Sequence, residues 1–488
     1  MTSVHQPTKP HLRATLFLAC LAQFMVVLDV SVVNVALPSI RHALGFSEDG
    51  LQWVVNAYTI TFAGFLLLGG RAADLIGRRT VFVFGLGLFA LASLGGGLAD
   101  SRTMLVVARL AQGLGGAVVA PSSLAIIMTS FTDPAERHRA VGIWGAMGAA
   151  GGAAGVLLGG VLTDLLSWRW ILFVNVPIGL LAAVFAERLI TEGRREGATR
   201  NFDLTGALSA TVGLSLLVFG IVRTDSTGWG NDSTLGLIAT GVGVLGVFVL
   251  VEGWIAKAPL MPLRLFRSRS LTVANVMIAL LNATTFGMWF FFSLYLQQVK
   301  GYSPLMTGLI FLPMTLVMVA VSTLVSRIVL RFGPRPLQIV GMLLMTAGLL
   351  LFSRMTVGGS YVGQILLPSL ITSVGMPFTF IPSTITATSG VDAEEAGLAS
   401  AITNNARLFG GALGLAILAA IAATRTTGDL HHPTLAIHTA HQALLDGFHL
   451  AFLVAAALAF TGVLVAGLLM PSSRLQPEHG TQPVAVEF

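Results

Sequence analysis

The sequence predicts an all-α polytopic membrane protein with about fourteen transmembrane helices. Of its 488 residues, 55% are hydrophobic and 10% are charged, which is a membrane composition. A helix needs roughly 20 apolar residues to cross about 30 Å of hydrocarbon, and the hydropathy pattern contains about fourteen such stretches. They lie near residues 12–37, 51–70, 80–99, 103–128, 138–163, 170–190, 204–222, 235–256, 270–296, 304–329, 336–353, 360–388, 395–422 and 443–469.

Two polar segments divide these stretches into groups of six, two and six. The segment 191–201 is rich in charge and glycine, and a second basic segment, 262–270, precedes the ninth stretch. We therefore predict an N-terminal six-helix bundle (1–190), a linker with two inserted helices (191–269), a C-terminal six-helix bundle (270–470) and a cytoplasmic tail (471–488). Aligning Gly77 with Gly333 matches Arg79 with Arg335, which favours two related halves about a central cavity.

The formal charge of +6 does not indicate a nucleic-acid partner, because the basic residues are distributed as expected for a membrane protein. Most of the 28 Lys and Arg fall in loops on one side, whereas the opposite loops carry single residues such as Arg41, Arg102 and Arg169. This bias predicts that both termini are cytoplasmic. Because Gly and Ala abound and Lys is rare, we expect a multi-pass protein of a bacterial plasma (inner) membrane.

Asp29 is the main candidate for chemistry, since acidic residues are nearly absent from the apolar stretches. Placing Asp at a helix centre costs roughly 2.5 to 3.5 kcal/mol, so it should face a cavity or a partner. Asp29 precedes Pro38 by a distance of about 13 Å along a helix, and Arg109 lies about 9 Å inside the fourth helix. The two can meet at similar height, where burial and the Arg charge shift the carboxyl pKa in opposite directions. This pattern indicates a proton-coupling site, with a permanent structural ion pair as the alternative.

Two further groups of residues are candidates for packing and for substrate contact. Gly151, Gly155 and Gly159 recur every four residues on one helical face, which permits close backbone approach or a hinge. Aromatic faces attract lipophilic cations and amides orient them, although lipid contact or core packing is an equal alternative for each side chain. The candidates for the substrate cavity are Met25, Asn34, Asn56, Trp144, Asn282, Phe286, Trp289, Phe290 and Asn404.

Several classes of function lack their motifs in this sequence. There is no phosphate-binding loop for ATP and no His-Glu-x-x-His, Cys-x-x-Cys or Gly-x-Ser-x-Gly pattern, so we expect no catalytic residues and no enzyme. Cys20 is the only cysteine. The histidines at 431, 432, 438 and 441 favour a solvated loop over a metal site. We expect no cofactor, with the proton gradient as the energy source, and a monomer that binds protons, lipid and a small-molecule substrate.

Several strings together resemble the major facilitator superfamily, specifically its fourteen-spanner drug:proton antiporter family. The first is Leu28-Asp-Val-Ser-Val-Val-Asn-Val-Ala-Leu-Pro38, with Ser31 where Thr is usual, and the second is Gly70-Arg-Ala-Ala-Asp-Leu-Ile-Gly-Arg-Arg79. The others are Arg109-Leu-Ala-Gln-Gly-Leu-Gly115, Trp168-Arg-Trp-Ile-Leu-Phe-Val-Asn-Val-Pro-Ile-Gly179 and the stretch Gly397 to Gly414. The chain departs from the family pattern in the fifth helix. The family's motif there has a proline where this chain has Val156, so the kink that a proline enforces is absent.

The resemblance implies the major facilitator fold and a proton-coupled exporter of small lipophilic or cationic drugs and antibiotics. It also implies that Arg109 takes part in proton transfer. A conformational latch on the cytoplasmic side would be formed by Gly70, Asp74, Gly77, Arg78 and Arg79, unless the arginines serve only as topology anchors. A dedicated exporter of an endogenous metabolite, antibiotic, lipid or peptide is the alternative. A passive channel or a membrane-embedded enzyme is a more distant one.

Overall fold

The computed structural model describes residues 9–131, 133–190, 192, 204–228, 230–256, 259, 263–388, 396–430 and 437–470. The first half contains α1 (Lys9–Leu44), α2 (Glu48–Ile76), α3 (Arg78–Gly97), α4 (Arg102–Ser130), α5 (Pro134–Leu165), α6 (Trp170–Phe173) and α7 (Asn175–Leu189). The inserted pair is α8 (Leu204–Thr227) and α9 (Asp232–Leu250). The second half contains α10 (Arg269–Leu294), α11 (Pro304–Phe332), α12 (Pro334–Phe352), α13 (Leu367–Thr388), α14 (Ala396–Leu430) and α15 (Ile437–Leu469).

Each of the predicted apolar stretches falls on a helix, with α6 and α7 together forming the sixth. Among the described residues, 12 helices are long and apolar enough to cross a membrane. The helices α2 and α8 are not among them, although α2 has 29 residues and α8 has 24. At 1.5 Å per residue each of these two is also about 36 Å long or longer, which is enough to cross the bilayer. The all-helical fold class predicted from the sequence is therefore confirmed.

The first helix is longer than predicted, because it passes through Pro38 and ends at Leu44. A proline removes one backbone donor and bends a helix but does not have to end it, particularly in a membrane protein. Asp29 consequently lies about 22 Å from the end of α1. The prediction that the first helix ends near Pro38 was therefore wrong.

The loops that follow α2 and α11 share a backbone geometry that supports two related halves. Gly77 has φ +136° and Gly333 has φ +78°, in the region that favours glycine, and each links two long helices. Arg79 then donates to the Glu187 carbonyl near the end of α7. Arg335 donates in the same way to the Gly467 carbonyl near the end of α15. The alignment of Gly77 with Gly333 therefore matches equivalent contacts.

The inserted pair covers one seam between the two halves. Leu214 and Val218 of α8 share a buried cluster with Ile60 of α2 and Ala412 of α14. In contrast, α9 packs on α8 and leaves large apolar side chains such as Val242 exposed, as a lipid-facing helix would. Among the described residues, the pair therefore contacts both bundles mainly through α8.

The two halves meet on the side of the bundle opposite to the beginning of α1, which we call the distal side. Ser293 Oγ donates to the Asn34 carbonyl at 2.8 Å, and Gln297 Nε2 donates to the Val35 carbonyl at 2.8 Å. At the distal end of α5, Gly160 lies against the backbone of Pro304. These hydrogen bonds and close contacts between the halves, among the described residues, close the molecule at its distal side.

Candidate functional site

Asp29 and Arg109 form a buried ion pair between α1 and α4. Arg109 Nη1 lies 2.6 Å from Asp29 Oδ2, and the two side chains are 2% and 0% exposed. This pairing was predicted from the sequence, and the two residues are in contact in the structure. Breaking one member of such a pair leaves an uncompensated charge, which is strongly unfavourable.

Two amides complete the surroundings of the Asp29 carboxylate. Gln112 Nε2 donates to Oδ1 at 2.7 Å, and Asn175 Nδ2 donates to the same oxygen at 2.9 Å. Gln112 lies one helical turn after Arg109 on α4, so both side chains share a face. Asn175 is the first residue of α7. The carboxylate therefore accepts hydrogen bonds from residues of two other helices.

Arg109 has partners besides Asp29. Its Nε donates to the Val54 carbonyl at 2.9 Å, and its Nη1 also donates to Gln112 Oε1 at 2.6 Å. The guanidinium lies over the ring of Tyr58, 4.5 Å from its centroid, which is a favourable cation–π geometry. These three contacts hold the guanidinium in addition to its ion pair with Asp29.

Three members of this site were not singled out from the sequence: Gln112, Asn175 and Tyr58. Gln112 and Asn175 lie inside the quoted motifs, and each is a polar residue within an apolar stretch. The spacing of three residues from Arg109 is a signal that would have found Gln112. No comparable signal existed for Tyr58, because only the tertiary packing of α2 against α4 brings its ring to Arg109.

The predicted cavity residues separate into two groups by burial. Met25, Asn56, Asn282 and Phe290 are buried, so contact with a substrate would require them to rearrange. Phe286 and Trp289 are half-buried, and their rings stack with centroids 6.4 Å apart. The other half-buried members are Asn34, whose amide donates to the Val30 carbonyl, Trp144, which donates to Ser123, and Asn404, which accepts from Arg407. A role in substrate contact remains a prediction for each of them.

The predicted packing glycines lie directly against α1. A Cβ atom at Gly151, Gly155 or Gly159 would come within 2.5 to 2.8 Å of a backbone carbonyl oxygen of α1. Real Cβ atoms do not approach so closely, and therefore only glycine permits this contact. Val156, which stands in the place of the motif proline, leaves α5 continuous from Pro134 to Leu165.

The loop after α2 is tied to the chain segment that follows α7. Glu192 accepts from the backbone amides of Arg79 and Thr80 at 3.2 Å and from Thr80 Oγ1 at 2.6 Å, at the N-terminus of α3. Partial burial alone would raise the pKa of Glu192, but these hydrogen bonds and the Arg79 charge lower the pKa below its usual value. A Cβ at Gly77 would collide with Glu192. Gly70 and Arg78 are half-buried, and the Asp74 side chain lies outside the described part of the structure.

The fold is similar to that of solved transporters. A bacterial homolog of the human lysosomal transporter Spinster, in an inward-facing and unoccupied conformation, superimposes with a TM-score of 0.71. The match covers 95% of this chain and 98% of that one at 16% sequence identity. At this identity the likeness concerns the fold alone. A D-xylose-proton symporter matches with a TM-score of 0.63 at 14% identity, over 95% of this chain and 98% of the symporter.

Sequence comparison gives nearer relatives among bacterial export and resistance proteins. The cephamycin export protein of Amycolatopsis lactamdurans is 44% identical over 85% of this chain and 86% of its own length. The puromycin resistance protein of Streptomyces alboniger is 39% identical over 92% of this chain and 88% of its own. The multidrug resistance protein Stp of Mycobacterium tuberculosis is 36% identical over 85% and 77%. Since the family model also matches residues 19–415, this membrane transporter belongs to the Major Facilitator Superfamily.

Proposed function

We propose that this transporter exports small molecules from the cytoplasm in exchange for protons, and that Asp29 carries the coupled proton. The observation that supports this most is the surroundings of Asp29: a fully buried carboxylate whose ionised form has three donors from two other helices. A proton on this carboxyl would remove the charge attraction to Arg109 and weaken the bonds from Gln112 and Asn175. Protonation therefore changes how firmly α4 and α7 are tied to α1.

The energy of such an exchange is adequate for export. One proton moving down a potential of 100 mV supplies about 2.3 kcal/mol, and each tenfold concentration gradient requires about 1.4 kcal/mol. An uncharged substrate can then be concentrated about fortyfold for each proton exchanged. The substrate and the proton must be carried in opposite half-cycles.

The orientation in the membrane follows from the distribution of basic residues, which supports cytoplasmic termini in a bacterial plasma membrane. The distal side, where the halves are closed, would then face outward, and the described conformation would be inward-facing. Since Cys20 is buried, a Cys20→Ser background permits single-cysteine labelling. We expect Arg169→Cys to be labelled by an impermeant maleimide in intact cells, and exposed Arg331→Cys only after the cells are opened. The reverse pattern would invert the topology.

The loop motif after α2 is proposed to act as a conformational latch. Gly77, Arg79 and Glu192 hold the α2–α3 junction to the end of the first six-helix bundle. Asp74 and Arg78, by resemblance, would bridge to the second bundle when the cytoplasmic side closes. Substitution of Asp74 or Arg78 should slow the conformational change that returns the transporter to its starting state more than it weakens substrate binding.

The substrate class is proposed from the relatives and from the site. Two of the relatives are described by cephamycin export and puromycin resistance, so small antibiotics are the first candidates. The stacked rings of Phe286 and Trp289 offer an apolar surface for such molecules. Export of one metabolite that the cell makes itself is the second candidate. The names of two relatives favour it, because each refers to a single compound. We propose that the protein works as a monomer.

A transport assay in everted vesicles tests the proton coupling. Vesicles acidified inside by respiration would be given a cationic, a neutral and an anionic fluorescent dye, each with and without an uncoupler. We expect wild type to accumulate at least one dye, and the uncoupler to abolish that accumulation. Asp29→Asn should lose it, whereas Asp164→Asn, which alters an exposed carboxylate near the distal end of α5, should not. Accumulation by Asp29→Asn at the wild-type level and with the same uncoupler sensitivity would refute the assignment, and uncoupler-insensitive flux would indicate a channel.

A further inference from the structure

Arg407 is a second arginine within the membrane-spanning part of the bundle. It is half-buried, and no carboxylate of the described residues pairs with it. It lies on α14, within the candidate membrane span Ile402–Thr426. Its Nε and Nη2 both donate to Asn404 Oδ1, at 3.0 and 2.6 Å. A neutral amide can orient a guanidinium but does not neutralise it. A cation left in this position within a membrane is a candidate for function.

Arg407 lies near the site of Asp29, across the boundary between the two halves. The next residue, Leu408, packs in the same buried cluster as Tyr58. The Tyr58 ring in turn lies under the Arg109 guanidinium. The segment of α14 that carries Arg407 therefore packs next to the residues that surround the ion pair.

The charges around Tyr58 do not cancel. Arg109 pairs with the Asp29 carboxylate, whereas Arg407 has no acidic partner among the described residues, which leaves a net charge of +1 when Asp29 is ionised. The Asp29 carboxylate is already occupied by Arg109, Gln112 and Asn175 and has little capacity left for a cation. A cationic substrate would meet repulsion here, whereas an anion would find an unpaired guanidinium. The Tyr58 hydroxyl, which is buried without a hydrogen-bond partner, is a second potential donor.

An apolar wall adjoins this charge. Gly411 lies one helical turn after Arg407 and packs against the ring of Phe286, which stacks on Trp289. Both rings are half-buried. Arg407 and the ring pair are thus neighbours on the contact between α14 and α10. A molecule with an aromatic or other apolar body and one carboxylate would match both features.

We propose that Arg407 binds the carboxylate of an amphipathic anionic substrate, with Asn404 holding the guanidinium in position and the Phe286–Trp289 pair contacting the apolar body. This deepens the proposed function and rests on it, since it names the substrate class of the same transporter. It also replaces the expectation of a cationic substrate. A guanidinium binds a carboxylate through two parallel hydrogen bonds, so Lys is an incomplete substitute.

The proposal changes the charge that moves in each cycle. Exchange of one proton for one monovalent anion carries two elementary charges down the membrane potential, against one for a neutral substrate and none for a cation. Protonation of Asp29 raises the net charge at Tyr58 to +2 and so would strengthen the binding of an anion. The alternation of proton and substrate must then come from the conformational change and not from charge repulsion.

The test compares dansylglycine with its methyl ester, which has the same apolar body without the charge. Binding to the purified full-length transporter in nanodiscs would be followed by dansyl fluorescence. We expect wild type to bind the acid at least tenfold more tightly than the ester. Arg407→Gln should bind the acid at least tenfold more weakly with the ester changed less than twofold, and Arg407→Lys should be intermediate. The control Arg331→Gln, an exposed residue at the end of α11, should match wild type.

Three results would overturn the proposal: no saturable binding of dansylglycine to wild type, equal affinity of wild type for acid and ester, or an equal loss of both ligands in Arg407→Gln. The last would assign Arg407 a structural role. Asp29→Asn separates this proposal from the proposed function, because it should bind the acid at least as tightly as wild type. If Asp29→Asn still couples export to protons while Arg407→Gln shows the selective loss, the proton assignment fails and the anion site stands.

Discussion

Asn175 Nδ2 lies 2.9 Å from Asp29 Oδ1, although the two residues are 146 positions apart in the chain. The contact joins the start of α7 to the middle of α1, and Gln112 of α4 donates to the same oxygen. Three of the helices of the first bundle therefore converge on one carboxylate. A change in the charge of that carboxylate is felt by all three.

The amide donors should hold the Asp29 carboxylate in place for proton exchange. Asn175→Ala and Gln112→Leu each remove one hydrogen bond to Asp29 Oδ1. Loss of a hydrogen bond to a buried charged group costs about 1.5 to 3 kcal/mol, so proton-coupled export should fall about tenfold or more in both variants. Gln338→Leu, which removes a buried amide bonded to Ser383 in the second half, should leave export unchanged. Export at the wild-type rate by both site variants would contradict this role of the donors.

The buried ion pair should govern stability as well as transport. Asp29→Asn leaves the Arg109 charge without a counter-charge, and a loss of about 3 to 5 kcal/mol is expected. Removing both charges in the Asp29→Asn, Arg109→Gln double variant should restore much of this stability. Chemical unfolding in detergent would measure both variants against wild type. A double variant that is no more stable than the single one would show that the charges are not coupled.

The contact between α1 and α5 should tolerate only glycine. Gly155→Ala places a Cβ 2.7 Å from the Leu28 carbonyl oxygen, so the two helices must separate. Export should fall at least severalfold, together with a lower melting temperature. Gly145→Ala on the same helix meets nothing within 4 Å and serves as the matched control. Equal behaviour of the two variants in both assays would mean that the close approach has no importance.

The hydrogen bonds that Glu192 accepts at the α2–α3 junction should make stability depend on pH. Its folded-state pKa is lowered, so the ionised carboxylate stabilises the fold at pH values above 4.5, the ordinary value, and this contribution is lost as the pH falls through the lowered pKa. Glu192→Gln should therefore reduce the melting temperature at pH 7, and the difference from wild type should shrink below pH 4.5. Melting curves of both proteins across this range provide the measurement. A difference that persists unchanged at low pH would assign the effect to packing.

Much of the fold could be predicted because the bilayer constrains sequence so strongly. Apolar stretches of the right length located the helices, and Asp29 and Arg109 stood out because charges are so rare within them. Local rules failed where tertiary packing decides. The continuation of α1 beyond Pro38 depends on its neighbours, and the position of the Tyr58 ring against Arg109 depends on the packing of α2 against α4. The placement of α8 across the seam between the halves also had no signal in its own sequence.

The motif strings located residues better than they assigned roles. Asn175 and Gln112 were both inside recognised strings, yet their common target, Asp29 Oδ1, emerges only from the coordinates. Likewise the sequence places Arg407 within an apolar stretch, but the absence of a carboxylate partner among the described residues is a property of the packed structure. Such contacts join helices far apart in sequence, and one sequence carries no record of them.

Proton movement driven by substrate tests the central assignment most directly. Purified transporter would be reconstituted in liposomes that contain a pH dye, and an outward gradient of a transported dye would be imposed without any initial pH difference. Wild type should acidify the interior as the dye leaves, whereas Asp29→Asn should exchange labelled for unlabelled dye with no change of pH. Acidification by Asp29→Asn vesicles at the wild-type rate would contradict the claim that Asp29 carries the proton.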